Sequence, residues 1–168
     1  MIRVRAALDR TLAVIISVLM ALMVANVLWQ VFTRFVIGRP SSFTEELARF
    51  LMIWVGMLGA AYAAGRKSHL ALDLLTSGLH GARKRMSDLV IHSFVLLFAA
   101  TVMLGGGGRL VWIQLSLGQK SAALQLKLGS VYLALPLAGA CIVFYSILTL
   151  VDAARHRVTT GTHSSGLN

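Results

Sequence analysis

Glu45, Glu46 and Arg49 stand together in SSFTEELARFLMIW, residues 41–54, at the opening of a long apolar run. Two adjacent carboxylates beside a guanidinium admit three uses: an acid/base pair, a transport site for an ion or solute, or the polar end of a packing element. Consecutive residues on a helix point about 100° apart. Glu45 and Glu46 therefore cannot flank one bond as the two carboxyls of a glycosidase do. Glu45 and Arg49 are i,i+4 neighbours and Glu46 and Arg49 are i,i+3, so either acid can pair with the arginine on the helix surface. Both acids also lie in the first turns, where the helix dipole favours negative charge. Capping and subunit packing lead this reading, contact with a docking partner follows, and coordination of ion or solute comes last.

The other chemically capable residues form no catalytic pattern. Five histidines, at 69, 80, 92, 156 and 163, are accompanied by no CxxC, HExxH or three-ligand cluster, so no metal site is expected. His69 and Asp73 are four residues apart and suit hydrogen bonding at an interface. Ser17, Ser87, Ser93 and Ser130 lie in no nucleophile elbow. The four glycines at 105–108 lack the following Lys-Ser/Thr of a phosphate loop, and read as close backbone packing or a loosened helix end. Neither an enzyme nor a cofactor is expected. Asn26 and Gln30 share one face of an apolar helix and read as packing contacts between helices. Gly56 and Gly59, with Ala60, Ala61, Ala63 and Ala64, offer a small-residue surface for close helix approach. The only cysteine, Cys141, lies in an apolar run and reads as packing.

The elements that must position these residues are membrane helices. Of 168 residues, 57% are hydrophobic and 13% charged, against roughly a quarter charged in soluble domains. Uncharged runs cover Thr11–Thr33, Phe50–Gly65, Leu89–Gly108 and Leu128–Val151, which is 23, 16, 20 and 24 residues. A hydrocarbon core needs about 20 helical residues, so the second run crosses only if its helix begins upstream, inside EELAR. The first run is longer than a signal-peptide h-region and has no small-residue cleavage pattern after it, so it is expected to be retained.

The expected fold is an all-α integral membrane protein of four transmembrane helices, at about 8–36, 43–65, 88–108 and 130–151, within a single domain spanning 1–157. Residues 158–168 read as a disordered tail. Gly38 and Pro40 end the first helix, and Ser42 with Glu45 fits a capping box for the second, which makes a tight antiparallel hairpin. Between helices two and three, Leu70, Leu72, Leu74, Leu75 and Leu79 suit a segment lying in the membrane interface. Pro136 is expected to bend the fourth helix near its start. No internal repeat of the kind that builds a self-sufficient transporter is evident, and a four-helix unit suits an accessory role.

The sixteen basic residues sort by topology. Ten lie at the N-terminus, in the 66–88 connection and in the C-terminal tail, while Arg34, Arg39, Arg109, Lys120 and Lys127 lie on the other side, with Arg49, just inside the second helix, left out of the comparison. This bias places both termini in the cytoplasm. The formal charge of +10 is spread over every connection without a patch of exposed aromatics, which argues against nucleic acid as partner.

RFVIGRPSSFTEELARFLMIWVGMLGAAYAAGRKSHLALD resembles the signature region of the small membrane subunit of tripartite ATP-independent periplasmic (TRAP) transporters. The likeness includes Arg34-Phe35, TEELAR at Thr44–Arg49, Trp54 and Gly59, then His69 and Asp73, and later YLALPLAG at 132–139. KLGS before Tyr132 departs from the family's proline-plus-aromatic arrangement. The resemblance implies a multi-pass protein of the bacterial cytoplasmic membrane that works with a large permease subunit and a periplasmic substrate-binding protein. It implies uptake of an organic acid driven by a sodium or proton gradient, with the small subunit bracing the large one and helping the binding protein dock. Arg34, Glu45, Glu46 and Arg49 would then serve the hairpin and subunit contact, and His69 and Asp73 would anchor the chain at the cytoplasmic lipid surface. An accessory subunit of another membrane complex, or a small oligomeric channel, are the alternatives.

Overall fold

A computed structural model of the chain describes residues 2–38, 41–76 and 82–159, with side chains described over 4–38, 41–66 and 90–151. Helix α1 (Ile2–Phe35) turns back into α2 (Ser42–Thr76) through a short connection. The third span is one continuous rod made of α3 (Ala82–Phe98), a π-helical segment (Ala99–Gly106) and α4 (Gly107–Ser116). An eleven-residue loop leads to α5 (Leu128–Tyr132) and α6 (Ala134–Thr159). Four stretches are long and apolar enough to cross a bilayer: Val4–Phe35, Ser42–Arg66, Val90–Ser116 and Leu128–Val151. The fold is thus the expected all-α bundle with four membrane spans.

The fourth span lies between the second and third, and α1 packs on the outer side of α2. Small residues set these distances. Ala61, Ala99 and Ala138 are fully buried where α2, the π-helical segment and α6 meet, with Met103 and Ile142 filling the gaps between them. A Cβ added to Gly139 would lie 2.7 Å from the Met103 Cβ, so only glycine allows α6 this close. Where lipid offers no gain from burying leucine, such close backbone approach is what holds helices together. A second cluster joins Leu12, Leu58 and Tyr145, tying α1 to α2 and α6.

Several helix ends differ from the sequence reading. The glycine run does not end the third helix, which continues to Ser116. Within a bilayer an interrupted backbone has no water to bond, so even glycines are kept helical. The second helix passes Gly65 and runs to Thr76, and RKSHLALDLLT holds no proline to stop it. The segment read as interfacial is therefore helical up to Thr76 and again from Ala82. Near Pro136, where a bend was expected, the helix is interrupted at Leu133 between α5 and α6, with Leu133 itself in helical dihedrals. Proline at 136 has no amide to offer the carbonyl four residues earlier. Val158 and Thr159 close α6, and the rest of the expected tail lies outside the described residues.

Candidate subunit-contact site

The end of the bundle that carries the α1–α2 turn gathers most of the residues singled out in the sequence. Gly38 adopts φ +71°, a left-handed conformation that reverses the chain after α1 at little steric cost. Helix α2 starts at Ser42, so the cap position falls on Ser41 and the expected Ser42–Glu45 box is not formed. Instead the Thr44 hydroxyl donates to the Ser41 carbonyl at 2.9 Å. Asn26, buried in α1, donates its side-chain amide to the Thr44 carbonyl at 2.8 Å and so joins the two helices of the hairpin. At Gln30 the backbone carbonyl is engaged, accepting from Thr33 at 3.0 Å.

The two glutamates have separate tasks, as their divergent directions require. Glu45 and Arg49 pair across one turn at 3.4 Å, with side chains 66% and 65% exposed. Glu46 points to the other side, where its carboxylate accepts the backbone amides of Ala123 and Leu124 at 2.8 and 2.9 Å. Residues 121–125 form a single tight turn that presents these amides, and the Leu124 amide also donates to the Ser121 hydroxyl oxygen at 3.3 Å. Gln125 closes it by donating to the Ser121 carbonyl at 3.2 Å, with Gln125 at φ +53°. The loop is braced further by hydrogen bonds from the Ser121 amide to the Leu126 carbonyl at 2.8 Å and from the Leu128 amide to the Gln119 carbonyl at 3.0 Å. Glu46 therefore staples the connection between spans three and four to the first turn of span two. Charge-assisted bonds of this kind are about twice as strong as neutral ones.

Arg34 does not cross the hairpin; its guanidinium lies 6.0 Å from the Phe35 ring centroid, exposed. At Gly56 and Gly59 an added Cβ would meet no atom within 4 Å. Among the described residues the close contacts fall on Gly65, Gly107, Gly129 and Gly139; of these only Gly107, within the 105–108 run, was expected as a packing position. His69 and Asp73 lie on the α2 backbone, with side chains outside the described residues. No group of three metal-ligating side chains occurs among the described residues. Below the staple runs an apolar groove of about 420 Å³ lined by Leu19, Leu47, Phe50, Trp54, Leu126 and Val131. Ser130 is the one polar residue in this lining, and the remainder suits hydrocarbon.

A second polar cluster, missed in the sequence, lies toward the other end. The Tyr145 hydroxyl donates to Asp9 of α1. Arg5 lies 5.9 Å from the centroid of the same ring and donates to the Gly65 carbonyl at 2.7 Å. Tyr145 is almost wholly buried, and its ring fills the space a side chain at position 65 would need, 2.7 Å from the position of a Cβ. The signal available in the sequence was the pair of charges, Arg5 and Asp9, on one face of the first helix.

The arrangement offers rigid polar contacts and exposed charges beside a mainly apolar groove. Comparison with known proteins points the same way. The small permease protein SiaQ of a sialic acid TRAP transporter from Vibrio cholerae is 33% identical over 88 residues, 52% of this chain and 51% of that protein. A putative TRAP transporter small permease protein of Haemophilus influenzae is 25% identical over 116 residues, 69% of each chain. The isethionate TRAP transporter permease protein DctMQ of Oleidesulfovibrio alaskensis is 36% identical over 93 residues, 55% of this chain and 14% of that protein. The chain thus spans about half of the Vibrio protein and a small part of the longer permease. The family described as tripartite ATP-independent periplasmic transporters, DctQ component, matches residues 23–156. With the four spans and the TEELAR segment in place, the chain belongs to the DctQ family, whose members are multi-pass proteins of the bacterial inner membrane.

Proposed function

We propose that this chain is the small permease subunit of a TRAP transporter. It braces a large permease subunit and helps a periplasmic binding protein dock during ion-coupled uptake of an organic acid. The observation that carries this reading is that the chain matches a minor part of two longer permease proteins. It aligns with 14% of the DctMQ protein and, at 40% identity over 66 residues, with 11% of the sialic acid permease protein SiaT of Haemophilus influenzae. A segment of this kind, carried within a larger permease in some relatives, is expected to work against that larger partner. Sialic acid and isethionate, named for those relatives, are both organic anions, which supports an anionic organic solute for this system.

The hairpin end is the docking face in this proposal. The charge bias of the connections directs it to the periplasm. There the exposed Glu45–Arg49 pair and Arg34 are available to a partner, while Glu46 holds the neighbouring loop in a fixed shape. His69 and Asp73 anchor the opposite, cytoplasmic surface against membrane lipids. Uptake into proteoliposomes tests the function. The solute is expected to accumulate only when this chain, the large permease and the binding protein are all present with an ion gradient. Solute accumulation with this chain alone would identify a small oligomeric channel or transporter and overturn the proposal.

A further inference from the structure

Arg109 stands inside the third span, about seven residues and so roughly 10 Å from the end of α4 at Ser116. It projects away from the bundle. Gly107, two positions earlier, packs on the fourth span, with an added Cβ there only 3.0 Å from Leu135. Two residues turn a helix by about 200°. Arg109 therefore faces the side opposite the core, together with the exposed Gly105 and Trp112, the last 72% accessible. The guanidinium forms no ion pair or hydrogen bond among the described residues. The acids whose side chains are described are each committed elsewhere: Asp9 to Tyr145, Glu45 to Arg49, and Glu46 to the Ala123 and Leu124 amides.

An arginine within a membrane span is costly in lipid unless it is paired or reaches the headgroups. We infer that this outward face of the third span receives a membrane helix of the large permease subunit, whose carboxylate pairs with Arg109. The inference rests on the subunit assignment proposed above and specifies which face makes the contact. The charge calls for an anion that none of the described residues supplies. The bare backbone beside it, at Gly105 and Gly106, distinguishes a helix from a lipid headgroup as the source. Glycine on a lipid-facing surface gives up side-chain contact for nothing, whereas against a second helix it permits close approach.

The test is co-purification of a tagged chain with the large permease, comparing wild type, Arg109→Leu and Arg109→Lys, with thermal unfolding of each isolated chain as the check on folding. Leucine is better suited to lipid than arginine. A lipid-facing position therefore tolerates Arg109→Leu, and an ion-paired interface does not. The expected result is at least a ~10-fold loss of bound large subunit in Arg109→Leu, partial retention in Arg109→Lys, and an unfolding temperature for isolated Arg109→Leu no lower than that of wild type. Trp112→Cys in a Cys141→Ala background is expected to cross-link to the large subunit. Undiminished co-purification of Arg109→Leu, with loss only of bound phospholipid in native mass spectrometry, would assign the arginine to a headgroup and overturn the inference. Failure of the wild-type chain to co-purify would instead remove the subunit assignment itself.

Discussion

At the scale of single residues, the charges at the start of α2 divide into one that faces outward and one that is spent within the chain. Glu45 and Arg49 form an exposed pair, and such pairs contribute about 0–1 kcal/mol to stability. Arg49→Ala is thus expected to leave the unfolding temperature of the isolated chain nearly unchanged while weakening association with the large permease. A large loss of stability with normal association would reverse that assignment. Glu46 is different because two backbone amides depend on it. In Glu46→Ala the amides of Ala123 and Leu124 should exchange with solvent markedly faster, and Glu46→Gln, which keeps one acceptor oxygen, should lie between. Equal exchange in all three would mean that the staple does not hold the loop. The sequence made Glu46 visible as a charge but not its partners, because backbone amides have no signature in sequence and lie 77 and 78 residues away. Tyr145 was hidden for a similar reason: its contacts with Asp9 and Gly65 depend on which helices become neighbours. Gly65→Ala is expected to destabilise the chain by ~1–3 kcal/mol, the usual cost of overpacking, since the buried ring has no room to retreat. Thermal unfolding in detergent measures it.

At the scale of elements, the four spans were legible because a bilayer demands about 20 apolar residues of every helix that crosses it. Where the helices end was less legible. Outside the hydrocarbon, helix continuation leaves no hydropathic mark, so α2 beyond Gly65 was read too short, while the third span was read to end at Gly108 because the charge of Arg109 closes its uncharged run. The glycines at 105–108 show why composition misleads here. They are weak helix formers in water, but a membrane span enforces internal hydrogen bonding. Their neighbourhoods then differ sharply. At Gly107 a Cβ would press on Leu135 at 3.0 Å and Pro136 at 3.3 Å, while at Gly108 it would meet nothing within 4 Å. Gly108→Ala is expected to stabilise the isolated chain by up to ~1 kcal/mol through helix propensity. Gly107→Ala should forfeit that gain and fall at or below wild type. Equal stabilisation by both in a thermal melt would show that the third and fourth spans do not pack as closely as Gly107 requires.

At the scale of the whole molecule, the two ends of the bundle are built differently, and the difference bears on orientation. At the hairpin end, Glu46 unites the two connections into one surface. At the other end, Arg5 and Asp9 tie the N-terminal part of α1 to α2 and α6. Ten of the chain's sixteen basic residues belong to the connections and termini of that second end. Lysine and arginine are retained on the cytoplasmic side during insertion, so the hairpin end is expected outside. Cysteine labelling decides the point in a Cys141→Ala background. Ser42→Cys, exposed in the first turn of α2, should react with a membrane-impermeant thiol reagent in intact cells. Val4→Cys, 58% exposed in α1, should react only after the membrane is opened. The opposite pattern would place the Glu45–Arg49 pair in the cytoplasm, beyond the reach of any periplasmic protein. It would leave the contact with the large permease intact while removing docking from the chain's role.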